Sequence, residues 1–321
     1  MTTSHFNDVI NKAAKESNHA ESGFKPIPTV PGRTIQIDAD FLAYQVSYDD
    51  EKSIAEMRSN CDAIVEKFRL MSGAERVALH LTPKGSNKGN RYEIALLKEY
   101  QANRAGKVKP KFLNVIREWM HKERDAILHM NCEADDGMAM AQYKAIADGT
   151  PELSIIASKD KDLCIVPGLQ IDWSTGTISD TTDPFGYIDL HVMDNKAKTK
   201  KVKGRGWKFF WAQLLMGDSA DNISGLPKVC LPKYLAASGK PKAVGPVLAH
   251  EIISPLKSNA ECFSVVSNLF RSYGDNVGFV NWRDGSKVSY GDALISEAQL
   301  LWMRREHSST DVIEWMKEHC L

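Results

Sequence analysis

Apolar residues recur at helical spacing through residues 51–72, where Ile54, Met57, Cys61, Ile64, Val65 and Phe68 share a face and Gly73 stands where a C-cap belongs. The same period predicts a helix from Phe112 to Asp125 and another over Ala134–Ala147, with Met138, Ala141, Ala145 and Ile146 on one side. Trp207–Met216 reads as a short apolar helix. Between these lie the short runs Arg33–Asp40, Arg76–Leu81, Ser154–Ala157 and Leu169–Trp173, which predict strands. Strands alternating with helices through residue 173 imply an α/β core with a largely parallel sheet. Past a loop-like stretch to Asp194 the pattern turns mainly helical. It ends in the apolar run Val277–Trp282, Ala293–Arg304 with Leu294, Leu300, Leu301 and Trp302, and a last helix Thr310–His319. Residues 1–32 are polar and close in the Pro-rich Pro26-Ile-Pro-Thr-Val-Pro-Gly32, an extension outside the core. The expected organisation is therefore an extension (1–32), an α/β core (33–195), a helical module (196–272) and a C-terminal helical region (273–321).

A chain of 321 residues can bury one large core and carry a second domain. No uncharged apolar stretch is long enough to span a bilayer, and the first residues lack the h-region of a signal peptide, so the expectation is a cytoplasmic protein with no membrane partner. Six cysteines are scattered without a C-x-x-C pair, which argues against a disulfide framework or structural zinc. Lys plus Arg and Asp plus Glu each number 41, so distribution matters more than net charge. Lys84, Lys88, Arg91, Lys98, Arg104, Lys107, Lys109 and Lys111 interleave with Tyr92 and Tyr100 against only Glu93 and Glu99. Lys196, Lys198, Lys200, Lys201, Lys203, Arg205 and Lys208 follow one another with no acid between Asp194 and Asp218. Such runs suit phosphates, with tyrosines stacking on unpaired bases; a solvated helix face fits the first run equally by composition, whereas the position of the second just before the next motif favours a phosphate-facing loop over a solvated spacer.

The acids cluster too. Glu133, Asp135 and Asp136 fall at a helix start, Asp160 and Asp162 just past a strand end, and Asp38 and Asp40 at the end of the first strand. Acids at a helix N-terminus complement its dipole, and Asp at a strand end is ordinary turn chemistry. Packed together, however, carboxylates resist ionising unless a cation neutralises them, and hard oxygen ligands suit Mg²⁺ or Mn²⁺.

Gly217-Asp218-Ser-Ala-Asp221-Asn222-Ile-Ser-Gly225 resembles the G-D-x-x-D-N-x-x-G signature of the 5′ nuclease family, which includes flap endonucleases and phage 5′-to-3′ exonucleases. Ile37–Tyr44 is similar to that family's first strand, Glu99-Tyr100-Gln-Ala-Asn103-Arg104 to its arch region, Glu133–Asp136 to its E-A-D-D motif and Ser158–Leu163 to its S-x-D-K-D-L motif. Ala243-Val244-Gly245 resembles the hairpin of its helix-three-turn-helix module, displaced by an insertion of roughly 228–242. The likeness runs from about residue 33 to 272.

The resemblance implies a PIN-like 5′ nuclease core, with the helix-three-turn-helix module at 196–272, and a metal-dependent 5′-to-3′ exonuclease. Its substrates would be duplex DNA or RNA in RNA/DNA hybrids. The alternatives are a flap endonuclease acting on a 5′ flap, a ribonuclease on a similar core, or a nucleic-acid-binding protein with a decayed site. Asp38, Glu133, Asp135, Asp136, Asp160, Asp162, Asp218 and Asp221 are the implied holders of two Mg²⁺, with Mn²⁺ able to substitute; the module's hairpin admits a K⁺. Lys88 and Arg91 are implied to hold the scissile phosphate, and Tyr100, Arg104 and Lys107 the substrate strand. Lys201, Lys203, Arg205, Gly225, Val244 and Gly245 are implied to grip the duplex backbone, and a monomer in the cytoplasm, of the host if phage-encoded, is expected. His80-Leu-Thr82-Pro83 lacks the Asp usual after the second strand, and Asp40 is the expected replacement for part of that charge.

Overall fold

The structure is a computed structural model that describes residues 26–321. Expectations for residues 1–25 lie outside the described part. The chain falls into two compact units, each assembled from separated stretches. One comprises the chain through Ser86, Val108–Asp160 and Gly168–Asp180; the other takes Asn87–Lys107, Lys161–Pro167 and Thr181–Leu321. This division differs from one that cuts the chain once near residue 195, because two short stretches, 87–107 and 161–167, belong with the C-terminal half.

The first unit is built on a six-stranded sheet: β1 (Val30–Asp38), β2 (Ala74–Leu81), β3 (Ile127–Leu128), β4 (Ser154–Ser158), β5 (Gly168–Asp172) and β6 (Ile178–Thr181). Their spatial order is β3-β2-β1-β4-β5-β6, with the pairs from β3 through β5 parallel. β1 starts within the Pro-rich stretch rather than after it, and Val30 pairs with Ala74. Ile35, Ile37, Ile155 and Ala157 are fully buried, as strands covered on both faces require. A helix that periodicity did not predict, α1 (Ala39–Val46), follows β1 directly. Asp38 causes the break: its Oδ1 accepts the Phe41 amide at 2.9 Å and caps the helix, so the strand does not continue through Asp40.

Three further helices pack with this sheet: α2 (Ile54–Ser72), α3 (Leu113–Glu123) and α4 (Ala134–Ala147). Ser53 and Glu56 form a capping box at the start of α2, and Gly73 ends it at φ 63°, where a Cβ would stand 2.6 Å from the Pro28 carbonyl. β1 sits where the strand order reverses, with β2 on one side and β4 on the other, so the carboxyl ends of β1 and β4 flank the crevice where open α/β sheets place ligands.

The second unit is mainly helical, with an antiparallel hairpin of β7 (Tyr187–Val192) and β8 (Lys200–Arg205). The densest basic run is thus half strand, not loop. α5 (Trp207–Met216) is buried from Lys208 to Leu215 and packs against α6 (Pro246–Ile253) and α7 (Asn259–Asn276). The residue 228–242 segment is closed at its base by β9 (Lys228–Val229) and β10 (Lys242–Ala243). β11 (Phe279–Val280) and β12 (Lys287–Val288) form a small hairpin before α8 (Tyr290–Leu301) and α9 (Asp311–Cys320). Phe210, Trp211, Trp302 and Trp315 stack into one aromatic core with Phe210–Trp302 centroids 5.2 Å apart and Trp302–Trp315 centroids 4.6 Å apart. Burial pushes the Cys262 and Cys320 thiols up to about 12, so both pack as small apolar groups. Among the described residues no helix is long and apolar enough to cross a membrane.

Candidate metal centre

Five carboxylates gather in the first unit. Asp38 stands at the carboxyl end of β1, with Oδ2 accepting the Ser158 hydroxyl at 2.9 Å. Ser158 ends β4, and its Oγ also accepts the Asp160 amide at 3.0 Å, so the two strand ends are tied together through one hydroxyl. Glu133 is the N-cap residue of α4 and Asp135 lies in its first turn. Burial raises the Asp135 carboxyl well above the usual carboxylate range, reinforced by the charges of Asp38, Asp160, Glu133 and Asp40. Asp135 is only half-buried by surface area, so the crowding of like charges around it carries much of that rise. Asp38 is pushed up to about 6, by burial first and by Asp40 second.

Asp40 sits where the missing carboxylate was expected. Its Oδ2 accepts the Thr82 amide at 2.9 Å, so it reaches the end of β2 from the first turn of α1. Its Oδ1 meets Arg117 Nη2 at 2.8 Å, and that guanidinium offsets part of the charge. Thr82 has a different duty: its hydroxyl accepts the Ala134 amide at 2.9 Å and anchors the start of α4. Asp136 is fully buried, and its Oδ2 accepts the Glu133 amide at 3.1 Å in a capping box. It belongs to the frame of the helix.

The second unit holds a tighter group. Asp162, Asp218 and Asp221 each offer a carboxylate oxygen, and these oxygens lie within 4.8 Å of one another. Asp162 is 7 % exposed and accepts the Gln213 amide nitrogen of α5. Burial pushes its carboxyl up to about 6, against the pull of Lys161 and with the push of Asp218 and Asp221. Lys161 Nζ bridges the group, 3.2 Å from Asp162 Oδ1 and 2.8 Å from Asp218 Oδ2. Burial acts to raise Asp218 as well, but Lys161 and the Ala220 amide outweigh it and hold that carboxyl low.

Asp218 and Asp221 are presented by the loop after α5. Asp218 and Ile223 exchange backbone hydrogen bonds of 3.0 and 2.7 Å, closing a tight turn with Asn222 at φ 59°. Asn222 Nδ2 donates to the Glu99 carbonyl at 2.8 Å, and the Gln101 amide donates to the Asp221 carbonyl at 2.8 Å. The Asp221 carboxylate accepts from Gln101 Nε2 at 3.0 Å and from Arg104 Nη2.

Several expected substrate contacts are turned inward. Arg91 is 1 % exposed and donates to the Trp302 carbonyl at 3.1 Å and the Leu300 carbonyl at 3.4 Å, a guanidinium spent on the frame of this unit rather than offered to a phosphate. Lys88 donates to Gln101 Oε1 and lies over the Tyr92 ring. Tyr100 is 3 % exposed, with its hydroxyl 3.5 Å from Asp221 Oδ2, so it cannot stack on a base from there. Gly225 is buried and donates its amide to Glu297 Oε2 at 2.6 Å. Lys208 is buried too, donating to the Ser254 carbonyl at 2.8 Å. Lys107, Lys201 and Lys203 are exposed, and Arg205, Val244 and Gly245 are half-exposed. Sequence reasoning missed Ser158, Lys161, Gln213 and Arg117 as partners of the carboxylates; Ser158 and Lys161 stood inside a motif already singled out.

A divalent cation fits this donor set. The triad is oxygen-only, its oxygens are within one coordination sphere of each other, and an ammonium already occupies the position a cation would take. No protein-family model and no curated protein matches the chain. Among solved structures it is similar to the bacteriophage T5 5′-exonuclease with bound zinc, at 16 % identity over 84 % of this chain and 88 % of that one, TM-score 0.48. It is similar to the T5 D15 protein co-crystallised with metal ions, at 17 % identity over 84 % and 87 %, TM-score 0.47. A third is the T5 D15 flap endonuclease in a pseudo-enzyme–product complex with DNA and metal ions, at 16 % identity over 84 % and 86 %, TM-score 0.45.

Proposed function

We propose that the protein is a metal-dependent 5′ nuclease that hydrolyses phosphodiester bonds of duplex DNA in the 5′-to-3′ direction. The observation that carries the reading is the acid-rich chemistry of both units: five carboxylates too crowded to ionise together, and three more whose oxygens lie within 4.8 Å of one another, two of them bridged by one ammonium. Asp162, Asp218 and Asp221 would hold one divalent ion and Asp38, Glu133, Asp135 and Asp160 another. The segment Ser158–Leu163 supplies an acid to each group. A bound divalent ion supplies a water of lowered pKa and positive charge against the phosphate as negative charge builds there.

The chain's own residues set this up. Ser158 fixes the Asp38 carboxylate, Gln213 that of Asp162, and the Ala220 amide that of Asp218. Lys161 offsets part of the charge of Asp162 and Asp218, and with more than half of its side chain exposed it would be the group that a divalent ion held by the triad competes with. Lys107, Lys201, Lys203 and Arg205, with the backbone at Val244 and Gly245, would meet phosphates without reading bases, so affinity for duplex should fall steeply with salt.

The test is digestion of a 5′-labelled duplex in Mg²⁺ or Mn²⁺. Labelled mononucleotides are expected, lost with EDTA and reduced at least about a hundredfold by Asp162→Asn. Release of an intact oligonucleotide from a branched substrate would assign a flap endonuclease instead. An RNA/DNA hybrid in the same assay decides whether RNA is accepted. No cleavage of any of these with either metal would leave a DNA-binding protein and overturn the proposal.

A further inference from the structure

Glu297 lies in α8 at 1 % exposure, where a carboxylate survives only with compensation. Its Oε2 accepts the Gly225 amide at 2.6 Å, while its Oε1 has no hydrogen-bond partner. Burial still pushes this carboxyl up to about 7. The carboxylate stays because the backbone facing it needs an acceptor, and what that backbone carries gives the residue its role.

The loop above it supplies the reason. A Cβ on Gly217 would stand 2.4 Å from the Ile223 carbonyl oxygen, and one on Gly225 2.2 Å from the Gly217 nitrogen. The loop thus closes backbone against backbone, with no room for a side chain of its own in the seam. The Gly225 amide points inward, and a buried amide left without an acceptor is costly. Glu297 is the acceptor. Asp218 sits at one end of the same closed turn, bonded to Ile223, and Asp221 sits at its tip.

We propose that Glu297 is a positioning residue for the metal site: by holding the Gly225 amide it sets the Asp218–Asp221 turn, and with it the spacing of those carboxylates from Asp162. This rests on the reading of the triad as a metal site. It adds a residue 72 positions beyond the motif it serves.

The experiment is Mn²⁺ titration by calorimetry and by electron paramagnetic resonance, alongside thermal unfolding in EDTA. Asp218→Asn identifies the binding event that belongs to the triad. Glu297→Met fills the space without an acceptor; it is expected to unfold at a lower temperature, since it leaves the buried Gly225 amide unsatisfied, and to bind that Mn²⁺ about tenfold more weakly, as lost outer partners of metal ligands do. Glu297→Gln keeps an acceptor oxygen and is expected to restore the affinity. A folded Met variant with wild-type Mn²⁺ affinity overturns the inference. Should the Met variant not fold, Glu297→Asp, which withdraws the acceptor by one methylene, decides: weakened binding supports the role and unchanged binding overturns it. Wild-type Mn²⁺ binding that Asp218→Asn does not touch sinks the metal reading itself, and this inference with it, which is a distinguishable failure.

Discussion

Lys161 links the chemistry of the triad to a measurable quantity. Its ammonium bridges Asp162 and Asp218, so it stabilises the metal-free protein and competes with any ion that enters. Because its side chain is 53 % exposed, solvent screens the pair and the competition is modest, about 1 kcal/mol or less. Lys161→Met should therefore tighten Mn²⁺ binding at the triad by roughly threefold to fivefold, read by calorimetry; weaker binding would mean that the lysine helps to hold the site open. The residues that sequence alone misassigned show why single positions are hard to read. Arg91 and Lys98 carry the same charge in the same basic stretch, but only Arg91 finds the Leu300 and Trp302 carbonyls, more than two hundred positions away. No local pattern encodes that meeting. Tyr100 and Gly225 fail as substrate contacts for the same reason, each having a partner inside the fold, Asp221 in one case and Glu297 in the other.

Elements, by contrast, were legible wherever a local rule decides them. α4 begins and ends where its period and its acidic start predict, since Glu133 and Asp136 form the cap from side chains three residues apart. α1 was not legible, because eight residues after a strand carry too little periodicity and the capping role of Asp38 was read as a strand end. The two acidic elements carry a pH signature. Asp38 and Asp162 are both pushed up to about 6 and Asp135 is raised further by its neighbours, so in the folded protein they hold protons that the unfolded chain has released. Their contribution is present below about pH 4 and is lost as pH rises through about 6, on the order of 2 kcal/mol in all once coupling is allowed for. In EDTA the unfolding temperature should fall across that window. Saturating Mg²⁺, which binds the ionised carboxylates, should flatten or reverse the fall; a flat profile in EDTA would mean that the carboxylates are already neutralised from within. The glycine loop makes a second prediction. Gly225 has φ 61° and its added Cβ would meet Gly217 at 2.2 Å, so Gly225→Ala should cost at least about 2 kcal/mol in thermal unfolding, more than the left-handed conformation alone explains.

At the scale of the whole molecule, the arrangement of stretches matters more than any boundary. Charge illustrates it: the basic run Lys196–Lys208 has no acid within it, yet the hairpin brings Asp189 opposite Lys203, and Lys198 meets Asp194 at 3.0 Å. Sequence order overstated that patch because Asp189, the hairpin partner of Lys203, lies outside the run and comes opposite it only when the strands pair. Domain order behaves alike. Residues 273–321 read as a separate C-terminal helical region, yet within the second unit they supply much of the packing. α8 gives Glu297 to the loop that carries Asp218 and Asp221, and the chain at its end gives the carbonyls that satisfy Arg91. Trp282 and Arg283 of the hairpin before α8 donate to the Ala95 carbonyl at 3.1 and 2.7 Å, fastening the stretch 91–96. Deleting 273–321 would strand a fully buried guanidinium, strip the aromatic core of Trp302 and Trp315, and release both the 87–107 stretch and the triad loop at once. Ending the chain after residue 272 should thus abolish Mn²⁺ binding at the triad and open 87–107 to limited proteolysis, while the six-stranded sheet of the first unit, whose core residues all precede 180, keeps its protection against amide exchange. Survival of triad binding in that shortened chain would show that α8 does not hold the triad loop.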